Sequence, residues 1–219
     1  MKRISVRPMP LALLLLVLTA IPIVIALVRV VQIPAGQLPP DAAKFAAVPC
    51  ALFLHALGGS LFGILGPVQF AGVLKRRFGR AHRIAGRIFV VAGLFMALSS
   101  LRLLWQFPDA TTWIAGIARL GAGAALGLAL IAALRFARAR NIPRHRAWMI
   151  RAYAIGMGPA AVSLMLFPIF VVTGEPPVGV LADLLFVLSW VVNIAIAEWV
   201  IRRTGPARSL IPARVQTPA

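Results

Sequence analysis

The chain has 219 residues, of which 61% are hydrophobic and 13% charged, and its 23 Lys and Arg side chains face only five Asp and Glu. So little polar surface excludes a soluble globular domain, and a soluble nucleic-acid-binding protein with the same net charge of +18 would be polar throughout. The single cysteine, Cys50, excludes a disulfide framework and a multi-cysteine metal site.

Six apolar segments are long enough to cross a bilayer, whose hydrocarbon core of about 30 Å needs roughly 20 residues of helix. The predicted spans are 10–31, 47–73, 84–105, 112–136, 147–173 and 178–201. The first follows a short basic start, as a secretory signal does, but its apolar run is too long for a signal and no small-residue cleavage site follows closely. We therefore expect an all-α polytopic membrane protein with six transmembrane helices, the first of which is an anchor helix.

The basic residues predict the orientation of these spans. Nineteen of the 23 fall in the N-terminal tail, in or beside the connections between helices 2 and 3 and between helices 4 and 5, and in the C-terminal tail. Because loops rich in Lys and Arg remain in the cytoplasm, both termini are expected to be cytoplasmic, in the cytoplasmic (inner) membrane of a bacterium. Anionic lipid headgroups on that face are the expected partner, because each exposed base gains about 1 kcal/mol there, and no nucleic acid is expected.

The same pattern predicts three parts of the chain. Residues 1–46 hold the N-terminal anchor helix and the first outer loop, and residues 47–203 form a five-helix membrane domain. Residues 204–219 are expected to be a disordered basic cytoplasmic tail. The outer connections are short and rich in proline, so they are too small to form an extracellular domain.

Two parts of the membrane domain resemble each other. Arg80-Ala81-His82-Arg83 precedes predicted helix 3, Arg144-His145-Arg146 precedes predicted helix 5, and the two histidines are 63 residues apart. A further arginine follows each motif about one turn later, at Arg87 and Arg151. We infer two related helical hairpins, with helices 2–5 forming a four-helix core.

The three histidines, His82, His145 and His55, are the candidate cofactor-binding residues. Each shares a helical face with small residues within one to three turns, and a haem held between helices needs both an axial imidazole and room for the porphyrin. His82 and His145 are both expected at the cytoplasmic boundary, where they would ligate one haem b iron from opposite sides. His55 lies too deep to join them and would need an outer partner, for which Met165 is the candidate. The alternative for His82 and His145 is interfacial contact with lipid or ordinary helix packing.

Polar residues at membrane depth are costly and therefore functional candidates. Arg102 and Arg119 lie toward the outer ends of helices 3 and 4, and Asp183 lies near the outer end of helix 6. An Arg–Asp pair would lower the cost of burying either charge, whereas the alternative is that each arginine extends to the interface. The full set of such candidates is Arg102, Arg119, Arg151, Asp183, Asn193 and Glu198.

One face of helix 6 is expected to point into the bundle. Asp183, Trp190, Asn193 and Glu198 fall within it at helical spacing. Glu198 also stands four residues before Arg202, which predicts an exposed pair worth tenths of a kcal/mol. No nucleophile-elbow, phosphate-loop, zinc-protease or paired-carboxylate motif is evident, so whether the protein is an enzyme stays open.

Four segments together resemble a known family: Gly66-Pro67-Val68-Gln69-Phe70, His82-Arg83-Ile84-Ala85-Gly86-Arg87, His145 to Arg151, and Asn193 to Trp199 before Arg202. They are similar to the bacterial membrane proteins grouped as domain of unknown function 2306, over helices 2 to 6. That family has no established activity, so the resemblance implies membership and topology alone. A looser similarity links the chain to ascorbate-linked two-haem membrane cytochromes, but those use four histidines, and two haems are not expected here.

Two functions are therefore carried forward. The first is a haem-b-binding electron-transfer or redox membrane protein with His82 and His145 as axial ligands. The second is a non-enzymatic small transporter, accessory subunit or lipid-interacting membrane protein, in which those residues hold the basic turns at the interface.

Overall fold

The computed structural model describes residues 8–70, 77–108, 112–175 and 177–204. Within these ranges the chain is helical and contains no β strand, which confirms the all-α prediction. A 3₁₀ helix covers Pro40–Ala47. The α helices are α1 Pro8–Leu18, α2 Ala20–Gln32, α3 Pro49–Phe70, α4 Gly79–Gln106, α5 Trp113–Arg138, α6 Ile142–Gly156, α7 Gly158–Thr173 and α8 Gly179–Thr204.

Several of these helices are able to cross a membrane. By length and composition α3, α4, α5 and α8 each suffice alone, and two further crossings result if the bent pairs α1–α2 and α6–α7 each count as one span. The pairs bend by 62° and 44° respectively. The protein is thus an integral membrane protein with four to six candidate spans among the described residues.

The predicted spans 10–31 and 147–173 are wrong as continuous helices. Each is divided near its middle by a proline close to the start of its second half. Pro22 has no N–H, so it cannot bond to the carbonyl of Leu18 as the residue four places along a helix normally does. Pro159 has the same effect at the start of α7. Hydropathy did not predict these breaks, because both segments stay apolar throughout and hydropathy does not register a missing N–H.

The helices that carry two of the histidines start earlier than predicted. α4 begins at Gly79 and α6 at Ile142, so His82 and His145 lie inside first helical turns instead of before them. For α6 the cause is local: the Asn141 side chain accepts a hydrogen bond from the Arg144 N–H at 3.2 Å. Such N-terminal capping satisfies a backbone donor that a helix start leaves open.

A buried apolar cluster joins α3, α4, α5 and α6. The Phe62 ring stacks on Phe89 with 4.1 Å between centroids and lies 5.9 Å from the Tyr153 ring. Leu130, from α5, is fully buried in the same cluster. α2 packs on α3, α7 packs on α8, and α8 contacts α5 and α6.

One end of the bundle is rich in arginine and is here called the basic end. The start of α6 and the end of α8 meet there, where Arg146 Nη1 donates to the Thr204 carbonyl at 3.2 Å. The exposed arginines described at this end are Arg77, Arg80, Arg83, Arg87, Arg135, Arg138, Arg140, Arg144, Arg146, Arg202 and Arg203. Three predicted basic segments lie outside the described residues. They are the N-terminal basic tail, Lys75 and Arg76 in the connection between predicted helices 2 and 3, and the part of the predicted disordered tail from 205 onward.

Close approach of α3 and α4 depends on Gly58. A Cβ atom added there would lie 2.7 Å from the carbonyl oxygen of Ala92 and 3.1 Å from the Met96 nitrogen, and neither backbone atom can move away without shifting α4. We predict that Gly58→Ala lowers the free energy of unfolding in detergent by roughly 1–3 kcal/mol. Reversible unfolding in mixed micelles, followed by circular dichroism, measures the change.

Gly121→Ala in α5 is the matched control, because a Cβ there meets nothing within 4 Å. Its expected effect is neutral or stabilising, since alanine favours a helix over glycine by about 1 kcal/mol. Equal destabilisation by the two substitutions would contradict the close α3–α4 contact.

Candidate functional site

The break between α6 and α7 is held by side chains from α8. Because Pro159 lacks an N–H, the Ile155 carbonyl needs another donor, and Trp190 Nε1 supplies it at 2.8 Å. Asn193 Nδ2 donates to the preceding carbonyl, that of Ala154, at 3.3 Å. Gly158 leaves the room that the Trp190 indole occupies. The face of α8 that the sequence pattern assigns to the interior therefore contacts the bend directly.

Glu198 forms its hydrogen-bonded ion pair with Arg151, while Arg202, the partner predicted from the i+4 spacing, attracts the carboxylate without a described hydrogen bond. Arg151 Nε and Nη2 donate to the two carboxylate oxygens of Glu198, the second at 3.0 Å. The Arg151 guanidinium also lies 5.0 Å from the Trp148 ring centroid. Helical spacing alone suggested Arg202 as the partner. The bidentate pair of hydrogen bonds from the Arg151 guanidinium is a stronger interaction than a single i,i+4 contact on one helix. This pair joins α6 to α8 toward the basic end.

A cavity of about 550 Å³ lies between the helices, toward the end opposite the basic end. Its walls come from α2 to α8, and residues on both sides of the α6–α7 bend line it, among them Ile155, Gly156 and Pro159. Phe45 of the 3₁₀ helix and Phe107 also line the cavity, and their rings meet edge to face with 5.1 Å between centroids. A volume of this size is in the range of small-molecule sites, roughly 300–1,000 Å³.

The polar lining of the cavity is basic. Arg29, His55 and Arg119 line it together with Ser100, and no Asp or Glu is among its described lining residues. All three basic residues stand in the halves of their helices that face away from the basic end. The remaining lining is apolar and includes Leu126 and Met157. The cavity thus has a cationic region at one end and apolar walls elsewhere.

His55 is fixed by a backbone carbonyl of α4. Its Nδ1 lies 3.3 Å from the Met96 oxygen and 3.4 Å from Ser99 Oγ. The Ser99 hydroxyl donates to the Phe95 carbonyl at 2.6 Å. A carbonyl oxygen can only accept, so Nδ1 carries the proton and Nε2 of the neutral ring is the remaining acceptor.

The structure brings Asp183 near Arg119, and none of the described contacts joins Asp183 to Arg102. The Asp183 carboxylate is close enough to attract the Arg119 charge, and it accepts the Thr112 N–H at 3.0 Å. Arg119 also lies over the Phe186 ring, 4.6 Å from its centroid. Arg102 is exposed, donates to Gln106 at 2.7 Å and lines a separate groove with Cys50. Of the two arginines offered as partners for Asp183, only Arg119 reaches the cavity.

His82 and His145 lie away from this cavity, on helices α4 and α6. His145 Nδ1 is 2.9 Å from the Ala133 carbonyl of α5, which leaves its Nε2 as the acceptor. The residues one to two turns deeper, Phe89 and Met149, belong to the buried cluster. The haem site assigned to this histidine pair stays a prediction, and Met165 is absent from the described lining of the cavity that contains His55.

Sequence reasoning missed Arg29 and the two phenylalanines of the cavity as site residues. Arg29 lies near the end of the first apolar run, and an arginine inside such a run is itself a signal of function. Trp190 was predicted to face the bundle interior, but not to donate a hydrogen bond. The one sequence signal for that role is Pro159, which leaves the Ile155 carbonyl without its backbone donor. Among the residues that the structure describes, no three His, Cys, Asp or Glu side chains come together as a metal site.

The apolar helices and their lengths define an integral membrane protein of the all-helical class. Comparison with protein families then gives a match over residues 52–201 to DUF2306, described as a predicted membrane protein. The match covers more than half of the chain, so this protein belongs to the DUF2306 family, as the four sequence segments predicted. No curated protein and no solved structure matches the chain.

Proposed function

We propose that this protein binds a single-chain amphipathic anion in the cavity, as a non-enzymatic membrane transporter or lipid-binding protein. The observation that carries the proposal is that one partly open cavity has basic side chains in one region and apolar walls in the rest. Arg29 and Arg119 supply two guanidinium groups, while Leu126, Met157 and Trp190 offer apolar surface for a hydrocarbon chain. In a low-dielectric interior these charges favour an anionic headgroup strongly over a cationic one.

The geometry supports this choice of ligand in two ways. Arg29 Nη1 donates to Gln32 Oε1 at 2.9 Å and the Arg119 guanidinium lies 4.6 Å from the Phe186 ring centroid, so both arginines are held in place where they line the cavity. The apolar walls extend from the cationic region toward the α6–α7 bend, so a chain would lie along the bundle axis. The cavity volume of about 550 Å³ suits one hydrocarbon chain better than two.

We further propose that the bundle crosses the cytoplasmic membrane of a bacterium six times with both termini in the cytoplasm. The exposed arginines of the basic end support this orientation, because they would meet anionic lipid phosphates of the inner leaflet. In that orientation the cationic region of the cavity lies in the outer half of the membrane. Each of the bent pairs α1–α2 and α6–α7 then makes one crossing.

Arg119→Gln tests the headgroup assignment. The purified full chain, in nanodiscs of phosphatidylcholine, should bind hexadecanesulfonate saturably and should not bind hexadecyltrimethylammonium, which has the same chain and the opposite charge. Losing one charge-assisted hydrogen bond should weaken sulfonate binding about 10- to 100-fold. Isothermal titration calorimetry against empty nanodiscs gives the affinity.

The matched control is Arg102→Gln, because Arg102 is exposed on α4 and lies outside the cavity. Its affinity should stay within about twofold of the wild type. Methanesulfonate separates a free small anion from a chain-bearing one and is expected not to compete. Equal binding of the cationic and anionic probes, or an unchanged affinity of Arg119→Gln for hexadecanesulfonate, would contradict the proposal.

A second candidate is the haem b site at His82 and His145. The orientation of His145 favours it, since a carbonyl at Nδ1 positions a histidine ring to ligate through Nε2. We predict a Soret band, shifted on reduction, in protein purified after expression with haem supplied. His82→Ala and His145→Ala should lose the band and His55→Ala should retain it; a wild-type spectrum without a Soret band excludes the site.

A further inference from the structure

We propose that an anionic phospholipid of the bilayer binds in the groove between α3 and α4, with its phosphate at Arg102 and one acyl chain along the apolar walls below. Residues 48–51 and Leu54, at the start of α3, form one side of this groove, and four residues of α4 form the other, among them Leu98 and Arg102. The groove lies at the end of the bundle opposite the basic end. This lipid site is independent of the function proposed for the cavity.

The groove and the cavity lie on opposite faces of α4. Phe95, Leu98 and Arg102 line the groove at spacings of three and four residues, so they share one face of the helix. Met96 and Ser100 line the cavity and project from the other side of the same helix. A molecule bound in the groove therefore does not occupy the cavity.

The groove has the size and surface of a site for one hydrocarbon chain. Its volume is about 520 Å³, and Leu54, Phe95 and Leu98 provide apolar walls. Phe95 and Leu98 are exposed, so they face the hydrocarbon of a bilayer. The Ser99 hydroxyl donates to the Phe95 carbonyl at 2.6 Å, so its proton points into α4 and not into the groove. From Phe95 to Arg102 the helix rises about 10 Å, which lies within the roughly 15 Å of hydrocarbon in one leaflet.

Exposed tryptophans place Arg102 near the lipid headgroups. Trp105 and Trp113 stand at the same end of the bundle and are 82% and 75% exposed. Tryptophans on the lipid-facing surface of membrane proteins concentrate where the hydrocarbon meets the headgroups. Arg102 precedes Trp105 by less than one helical turn and lies about 4–5 Å deeper, and a long arginine side chain extends over that distance to reach a phosphate.

The charge of Arg102 favours an anionic headgroup. Its side chain is exposed, and Nη1 donates to Gln106 Oε1 at 2.7 Å, so the guanidinium is positioned by a neutral amide. A guanidinium matches the oxygens of a phosphate in geometry and in charge. Phosphatidylcholine carries the same phosphate, but its choline cation offsets the charge. With one exposed base near the membrane surface, the groove should bind an anionic lipid about fivefold more tightly than a zwitterionic one.

The single cysteine supplies a reporter, because Cys50 is exposed and lines the groove. The full chain, labelled at Cys50 with bimane, is placed in phosphatidylcholine nanodiscs. Phosphatidylglycerol or phosphatidylcholine, each with a nitroxide high on one acyl chain, is incorporated in increasing fraction. A nitroxide quenches only a nearby fluorophore, so lipids at the basic end do not contribute. Half-maximal quenching should need about fivefold less phosphatidylglycerol than phosphatidylcholine.

Substitutions of Arg102 test its part in that preference. Arg102→Gln removes the charge, and its bimane should be quenched at the same fraction by the two lipids. Arg102→Lys keeps the charge and should keep the preference. The matched control is a reporter at Ile117, introduced as Ile117→Cys in the Cys50→Ser chain. Ile117 is 64% exposed on α5 and is not among the described lining residues of the groove, so the two lipids should quench bimane there equally.

The same variants separate the groove from the cavity. Arg102→Gln should lose the lipid preference and keep its affinity for hexadecanesulfonate, and Arg119→Gln should do the reverse. An absence of sulfonate binding would contradict the cavity proposal and leave the lipid site standing.

Three results would overturn the lipid site. Equal quenching at Cys50 by the two lipids in the wild type would show that the groove does not distinguish their charge. A preference for phosphatidylglycerol that persists in Arg102→Gln would remove Arg102 from the site. Quenching by phosphatidylglycerol that is no stronger at Cys50 than at Ile117 would show that bilayer lipid does not occupy the groove.

Discussion

Inside a bilayer, each backbone carbonyl must find its hydrogen-bond donor within the protein, and this constraint shapes the centre of the structure. The proline at the start of α7 withdraws the donor that the Ile155 carbonyl would otherwise have. Trp190 replaces it from α8, and Asn193 bonds to the neighbouring carbonyl. Since Ile155 and Trp190 both line the cavity, the same contact that stabilises the bend also builds one wall of the candidate site.

The two ends of the bundle have different electrostatic roles. At the basic end the arginines are exposed, and the Arg151–Glu198 pair ties α6 to α8. At the opposite end, Arg29 and Arg119 line a partly open cavity whose described lining residues include no Asp or Glu, although Asp183 lies near Arg119 outside the lining. An exposed arginine is solvated by water and lipid phosphate, whereas an arginine that lines a largely apolar cavity is less well solvated and attracts an anion more strongly. For this reason the proposed ligand site lies at Arg29 and Arg119 and not among the more numerous exposed arginines of the basic end.

Hydropathy predicted the apolar segments that contain the helices, because length and apolar content decide whether a helix enters a membrane. It did not predict the breaks within 10–31 and 147–173, which depend on single missing N–H groups. Helical spacing placed Asn193 and Glu198 on an inward face, and both contact α6. Spacing could not identify Arg151 as the partner of Glu198, because that contact joins residues 47 apart in the chain. The cavity itself arises from the packing of seven helices, and no local pattern encodes it.

Photolabelling tests the central claim, that the cavity holds the chain of an amphipathic anion, most directly. The probe is a long-chain sulfonate with a diazirine at the chain end, applied to the full protein in phosphatidylcholine nanodiscs and mapped by mass spectrometry. Cavity binding predicts adducts at Leu126 and Met157 that unlabelled hexadecanesulfonate abolishes. Leu128, two residues along α5 and 67% exposed, is the internal comparison for labelling from lipid. Adducts confined to Leu128 and other exposed positions, or adducts at Leu126 that resist competition, would contradict the account.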